Sequence, residues 1–306
     1  VPDAPLAERR DHEVGPAVPD LFAESRHRWV VALPETHVAG NPGVADTADG
    51  EIRVPWATPP DPAVLAGIAR LDLRPSDAQL RNGVPPPYLG ALPHLRTLAV
   101  PAPLLAAALT VVTPPMLVIT PGPATPTTRA GGRGTHAPVA LPDGARGLLH
   151  LEPPALPALV SAAPGLRFLS TQLRPGVDTL IAGLAELRHL ELIRLADLPP
   201  IPAPIEALAL GGVRRGFPAG RLRTLETVTT LRLNGVHTEL DCAEIAAMPG
   251  LRELTVLSSK RLTNVTALLG APRLRSLTMV NCGRALRGPM DRFRAHGFDR
   301  LDVDYA

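Results

Sequence analysis

One phrase returns along this chain. Leu251-Arg252-Glu253-Leu254-Thr255-Val256 is echoed by Leu274-Arg275-Ser276-Leu277-Thr278-Met279, and earlier by Leu95-Arg96-Thr97-Leu98-Ala99-Val100 and Leu166-Arg167-Phe168-Leu169. The central leucines Leu208, Leu231, Leu254 and Leu277 recur at one constant step, and Leu301 follows a single position late. A fixed period in the twenties around a short leucine-rich core specifies stacked coils rather than one globular core.

The phrase has a strand's logic. Side chains alternate along a strand, so Leu254 and Val256 face one way and Glu253, Thr255 and Leu257 the other. Leu251 packs beneath the strand, and Pro249-Gly250 turns the chain into it. A proline turn also precedes Leu95, Leu166 and Leu274. Each fully buried Leu or Val contributes about 1.5–3 kcal/mol. No single coil can bury its own apolar edge, so the array stands only when several coils stack.

Composition fits thin aliphatic layers: 45% of the chain is hydrophobic but only 3% aromatic. The charge of +2, from 31 basic and 29 acidic residues, is no basic field, which argues against a nucleic-acid partner. Lys260 is the only lysine, and with so many Ala and Pro this reads as the codon bias of a GC-rich, bacterial genome. Cys242 and Cys282 lie far apart in sequence without CxxC or Cys/His spacing, so neither a metal site nor a disulfide framework is expected. The apolar run Leu104 to Val112 is too short to span a membrane, and the first residues carry no apolar signal core. A cytoplasmic protein without membrane contact is expected. Val1 in place of Met leaves an alternative start or a trimmed leader open.

The chain is expected to divide at about residue 65. Residues 1–65 read as a polar, poorly ordered N-terminus (1–28) followed by a non-repeat cap. In the cap, strands over Trp29–Leu33 and Glu51–Trp56 are expected to pair as a hairpin. Residues 66–306 read as the repeat array. Asp61-Pro62 starts a helix through Ile68, feeding a strand at Arg70–Leu73. Further strands are expected near 96–100, 116–120, 147–151, 167–171, 188–192, 206–210, 230–234, 253–257, 276–280 and 300–304. Asp178 and Asp241 are expected to cap helices, and Pro289 and Gly297 to open and close the last one. Two places break the rhythm. Residues 120–142, rich in Pro, Gly and Thr, read as a disordered surface insertion, with a flexible binding loop as the functional alternative. The prolines of Leu198–Pro204 forbid a helix and predict an extended or polyproline crossing. At the C-terminus, residues 298–305 form a capping strand. Asp302 and Asp304 charge its edge and block further strand addition, the alternative being an acidic contact patch.

Leu92–Val100 (LPHLRTLAV), Met248–Val256 (MPGLRELTV) and Ala271–Met279 (APRLRSLTM) resemble the leucine-rich repeat superfamily, whose repeat core is LxxLxLxxN/C. Cys282 falls at the Asn/Cys position of its repeat, and Ser259 and Val236 occupy that position in neighbouring repeats. The asparagine ladder that satisfies loop backbone groups in the family is therefore mostly missing here. The resemblance covers about residues 68–306. It implies an α/β fold: a right-handed solenoid, or horseshoe, with a concave parallel β-sheet and helices or extended segments on the convex side. It also implies binding of proteins or peptides on the concave face, and no enzyme. Some bacterial effectors join similar repeats to a ubiquitin-ligase domain, and no such domain is read in this chain.

The expected partner-binding positions follow from strand parity: Phe168, Ser170, His189, Glu191, Thr230, Arg232, Glu253, Thr255, Ser276, Thr278, Arg300 and Asp302. Thr97, Ala99, Ala207 and Ala209 share the outward parity, and with Gly211 the last two make a flat central strip. Phe168 would be an exposed aromatic anchor, or would pack under the 120–142 insertion or stand exposed without a role. His189 and Glu191, about 7 Å apart at their alpha carbons, read as a solvated pair. Arg96, Arg167, Arg188, Arg252 and Arg275 recur at strand entrances. Their parity points to the core, with stems along apolar surface and heads at the rim. The alternative is a basic ridge for acidic partners or nucleic acid, although Glu206 and Asp299 interrupt it. No catalytic, cofactor-binding or metal-binding residue is assigned. There is no phosphate loop, GxSxG or HExxH motif, and Gly131-Gly132-Arg133-Gly134 lies within the insertion. Asn264-Val265-Thr266 matches a glycosylation acceptor that a cytoplasmic protein would leave unmodified.

The function expected is therefore a non-enzymatic, monomeric interaction module that uses no cofactor. The alternatives are an enzyme or accessory subunit depending on the N-terminal region (His27, His37) or the 120–142 loop (His136), and an array that self-associates through its edges.

Overall fold

The computed structural model describes residues 30–34, 45–46, 52–120, 141, 145–150, 165–173, 177–195, 197–201, 205–214, 217–283 and 288–304. The chain forms two compact units, Val1–Leu166 and Arg167–Ala306. Each carries a sheet of mainly parallel strands with short helices between them, so the fold is α/β and its repeating element is the strand-led coil. Residues 1–29 and the 121–140 stretch of the expected insertion lie outside the described residues.

The first unit contains β1 (Val30–Leu33), β2 (Ala45–Asp46), β3 (Ile52–Pro55), β4 (Arg70–Leu73), β5 (Thr97–Pro101), β6 (Met116–Thr120) and β7 (Gly147–His150). Their order is β7-β6-β5-β4-β1-β3-β2. The expected hairpin is corrected here. β1 and β3 pair in parallel, Val30 opposite Ile52, and β1 pairs on its other side with β4. A hairpin turn joins only antiparallel strands, whereas a parallel pair needs a crossover of a dozen residues or more. Residues 34–51 supply that length. β2 is antiparallel to β3.

Local chemistry explains the helices of this unit. Helix α1 (Pro62–Gly67) starts where Asp61 accepts a hydrogen bond from the Ala63 N–H at 2.7 Å. Helix α2 (Asp77–Asn82) has a capping box: Gln79 Oε1 accepts from the Ser76 N–H at 2.8 Å, and Ser76 Oγ accepts from the Gln79 N–H at 3.3 Å. Gly83, at φ 67°, closes it. Helix α3 covers Leu105–Leu109.

The second unit holds β8 (Phe168–Gln172), β9 (His189–Ile193), β10 (Ala207–Gly211), β11 (Thr230–Asn234), β12 (Leu240–Asp241), β13 (Glu253–Leu257), β14 (Leu262–Thr263), β15 (Ser276–Val280) and β16 (Arg300–Asp304). The main sheet runs β8-β9-β10-β11-β13-β15-β16, with every pair parallel. Leu190, Leu208, Leu231, Leu254, Leu277 and Leu301 stand in one row. All but Leu301 are buried. The recurring leucines thus form one shared seam, as their spacing requires. β12 and β14 make a small parallel sheet of their own.

Helix α4 (Val177–Ala182), helix α5 (Cys242–Ala246), helix α6 (Met290–Ala295) and the 3-10 segments Ala219–Thr224 and Val265–Gly270 link the strands. Asp241 caps α5, accepting from the Ala243 N–H at 2.8 Å. Asp178 does not cap α4. It lies inside the first turn, where its charge favours the positive end of the helix. Pro289 precedes α6, and Gly297 follows it at φ 83°. Residues 198–201 form neither helix nor strand, as the prolines require, and 202–204 lie outside the described residues. At Gly250, a Cβ would sit 2.6 Å from the Glu226 carbonyl oxygen and 3.0 Å from that of Val228, so this turn admits only glycine without backbone movement.

Strand entrances share one device. Two consecutive N–H groups converge on a single carbonyl of the preceding coil. Arg252 and Glu253 reach the Thr229 oxygen at 2.7 and 3.0 Å, and Arg275 and Ser276 reach the Arg252 oxygen at 2.8 and 3.0 Å. The same pairing occurs at Arg96/Thr97, Arg188/His189 and Glu206/Ala207. The strands begin one residue after each entrance arginine, at Thr97, Phe168, His189, Glu253 and Ser276, so strand alternation does not reach the arginines. The core-pointing parity expected of the entrance arginines is therefore not found, whereas heads at the rim agree with their exposure: Arg96, Arg167, Arg252 and Arg275 are exposed and Arg188 is half-exposed.

Strand exits share another. Arg194, Gly212, Gly235, Ser258 and Asn281 all adopt left-handed φ between 50 and 63°. Their N–H groups bond the last strand carbonyl of the next coil, as from Ser258 to Val280 at 2.9 Å. The next position is where the asparagine ladder would stand. Buried Ser259 fills it, accepting from the Val236 N–H at 3.1 Å and donating to the Leu257 oxygen at 3.0 Å. Cys282 Sγ donates to the Val256 oxygen at 3.3 Å. Where Val213 and Leu195 hold the position, backbone replaces side chain: His237 N–H reaches the Val213 oxygen and Arg214 N–H that of Leu195. Ser259→Ala strands the buried Val236 N–H, and a loss of about 1–3 kcal/mol is expected in urea unfolding. Cys282→Ser keeps a donor of similar size and should cost less than Ser259→Ala in the same measurement.

Candidate docking face

In the second unit the face opposite the leucine seam carries three aligned rows. The first runs Phe168, His189, Ala207, Thr230, Glu253, Ser276, Arg300. The second runs Ser170, Glu191, Ala209, Arg232, Thr255, Thr278, Asp302. The third runs Gln172, Ile193, Gly211, Asn234, Leu257, Val280, Asp304. Parallel strands in register place neighbours in a row about 4.8 Å apart.

Exposure grows along the rows. Phe168 is 3% and Ser170 1% exposed, so neither is a surface anchor, and the expectation of an exposed aromatic at Phe168 is corrected. His189, Glu191, Thr230, Arg232, Thr255, Ser276 and Thr278 are half-exposed, and Glu253, Arg300 and Asp302 are exposed. In the flat strip, Ala207 and Gly211 are half-exposed but Ala209 is buried. In the first unit the same parity is buried outright, with Thr97 at 1%, Ala99 at 0% and Asp72 at 2%; Arg74 Nε donates to Asp72 Oδ2 at 2.8 Å. The outward exposure expected for Thr97 and Ala99 is therefore not found. Alternation dictates which face a residue takes, but not whether other chain covers that face.

Glu191 is not simply half of a solvated pair with His189. Ser170 Oγ, directly opposite across the strand pair, donates to Glu191 Oε2 at 2.6 Å, a short charge-assisted bond. At the far end Arg300 and Asp302 approach to 3.8 Å with both side chains largely exposed, which adds little stability.

Of the third row, the expected surface named only Gly211, in the flat strip, and Leu257, by its parity. Ile193, Leu257 and Val280 are half-exposed apolar side chains in it, and Asn234 and Asp304 are exposed. The signal was present, since each stands four positions after the first of its strand. The face thus combines hydroxyls, both charges and an apolar border.

Both cysteines are buried. Burial pushes the Cys242 thiol up to about 12, with the Asp241 and Cys282 charges adding to the effect. Burial also raises Cys282, and backbone hydrogen bonds at Ser259 and Val280 offset only part of that rise. Both thiols are therefore protonated at neutral pH, which leaves them poor nucleophiles and poor metal ligands. Among the described residues no group of three or more His, Cys, Asp or Glu side chains could hold a metal ion. No described helix is long and apolar enough to cross a membrane.

No protein-family model matches the chain, and no curated protein matches it. Among solved structures, it is similar to that of a leucine-rich repeat protein of Leptospira interrogans, at 16% identity and a TM-score of 0.32, over 72% of this chain and 74% of that one.

Proposed function

We propose that the chain is a leucine-rich repeat interaction module, without catalytic role, that docks a partner protein or peptide on the β9–β16 face. The observation that carries this reading is the contrast between the two strand parities of the second unit. The seam parity is buried from Leu190 to Met279, while the opposite parity stays half-exposed or exposed from β9 to β16, apart from Ala209. A rigid, hydrogen-bonded sheet that presents mixed polar and apolar side chains needs little reordering on binding.

Size narrows the partner. Six strands at about 4.8 Å and three rows at about 6.7 Å give an array of about 24 by 13 Å. That is less than half of the roughly 800 Å² that a standard interface buries per partner. The array suits a peptide, or one protruding element of a protein that also touches the rims. On this reading the module acts as a monomer and needs no cofactor, nucleic acid or membrane. The enzymatic alternative rests on His27, His37 and His136, all outside the described residues.

The test is crosslinked capture in the native cell with wild type and with Thr255→Arg/Thr278→Arg, which crowds the centre of the face. The same melting temperature and loss of the specific partner are the expected result. Undiminished recovery of every partner by the folded variant would overturn the docking face.

A further inference from the structure

Two strand entrances of the second unit pair an arginine with an acid of the following coil. Arg167 Nε lies 3.5 Å from Glu186 Oε2, two positions before the next entrance, and Arg188 Nε lies 3.7 Å from Glu206 Oε1, at the next entrance itself. At β13 the arginine recurs as Arg252. In the following coil, the two positions that supplied acids before are Arg273 and Arg275. All three are exposed, and none makes an ion pair among the described residues. The backbone bonds from Arg252 to the Thr229 oxygen and from Arg275 to the Arg252 oxygen, at 2.7 and 2.8 Å, hold the two alpha carbons on neighbouring coils. The backbones of Arg252 and Arg275 are thus fixed beside Glu253 and Ser276 of the first row, and Arg273 stands two positions before Arg275.

We infer that Arg252, Arg273 and Arg275 receive a short run of carboxylates, an Asp/Glu segment of the partner that lies on the β9–β16 face. This rests on the docking reading above and adds the partner's chemistry. Arginine forks match carboxylates in bidentate geometry, and an anion relieves the repulsion among the three cations. The cluster is short. Exposed Glu253 follows Arg252, and exposed Asp299 holds the next strand entrance. Two coils of positive charge fit two or three carboxylates. They do not make a track for a nucleic-acid backbone, which also wants stacking aromatics.

The experiment measures fluorescence anisotropy of a fluorescein-labelled peptide bearing four consecutive glutamates, against the same peptide with glutamines. The proteins are wild type, Arg252→Gln/Arg273→Gln/Arg275→Gln, and Arg292→Gln/Arg294→Gln as a control on helix α6. The expected result is Glu-peptide binding to wild type that weakens with added salt and falls about tenfold in the triple variant but not in the control. Equal binding of Glu and Gln peptides, or an unaffected triple variant, overturns the inference. So does a single-stranded oligonucleotide that binds the same arginines more tightly than the Glu peptide. A captured partner lost with Thr255→Arg/Thr278→Arg but retained by the arginine variant leaves the docking face standing and removes only its acidic partner.

Discussion

Leu254→Ala is expected to cost about 2–5 kcal/mol, against about 0.5 kcal/mol or less for Thr255→Ala one position along. Leu254 is 1% exposed and sits in register between Leu231 and Leu277, both buried in the same seam. Removing its branched end leaves a void whose walls belong to the coils on either side. Those coils cannot close it by sliding. Arg252 is tied to the Thr229 oxygen and Arg275 to the Arg252 oxygen, so the spacing between coils is fixed by backbone bonds. Coil stability is largely a nearest-neighbour property, so a void at Leu254 weakens two interfaces at once. Thr255 faces the other way and is half-exposed. Urea unfolding followed by circular dichroism measures both variants. Equal midpoints would mean that the two parities are not differently buried, and the seam would fall with them.

The seam was legible because its signal is local and periodic. Each coil repeats its leucine at the same step, and the registers Leu208–Leu231–Leu254–Leu277 follow without knowledge of the rest. The caps at Asp61 and Asp241 were legible for the same reason, each needing only the two positions that follow. The capping box of Ser76 and Gln79 is equally local, but a Ser-x-x-Gln pair alone is a weak signal between two strands.

What escaped the sequence has other causes. Alternation counts the entrance arginines as strand residues, but each strand begins one residue after them, and a pattern of residue types does not mark that boundary. Phe168 has the outward parity of a contact residue and is nevertheless buried, because alternation assigns a face and does not say whether that face is covered. β1 and β3 carry ordinary strand signals, and only the length between them distinguishes a parallel crossover from a hairpin. The arginine cluster shows the same limit in a useful form. Each of Arg252, Arg273 and Arg275 looks ordinary alone. It is the coil-to-coil comparison with Glu186 and Glu206 that shows Arg252 facing Arg273 and Arg275 where acids stood before.

Phe293→Ala is expected to cost about 3–5 kcal/mol, concentrated in the last coil. Only 3% of the chain is aromatic, so most coils fill their interiors with aliphatic side chains. The last described coil differs. Leu301 and Val303 of β16 are half-exposed, whereas their row neighbours Leu277 and Met279 are fully buried. An end strand with one neighbour buries less of its own seam, so the burial there must come from elsewhere. Phe293, at 0% exposure on helix α6, supplies it. Its ring stacks on Phe298 at 6.2 Å and 14°, and Phe298 in turn meets His296 at 4.7 Å and 49°. Removing the ring takes away the largest buried side chain of the coil and the partner that places Phe298 just before β16. The loss should therefore appear first as local opening. In hydrogen exchange, amides of Leu301–Asp304 should lose protection while those of Leu231–Asn234 keep theirs. Uniform loss across both strands would make the unit a single cooperative block, and unchanged protection at β16 would mean that the end coil does not depend on the ring.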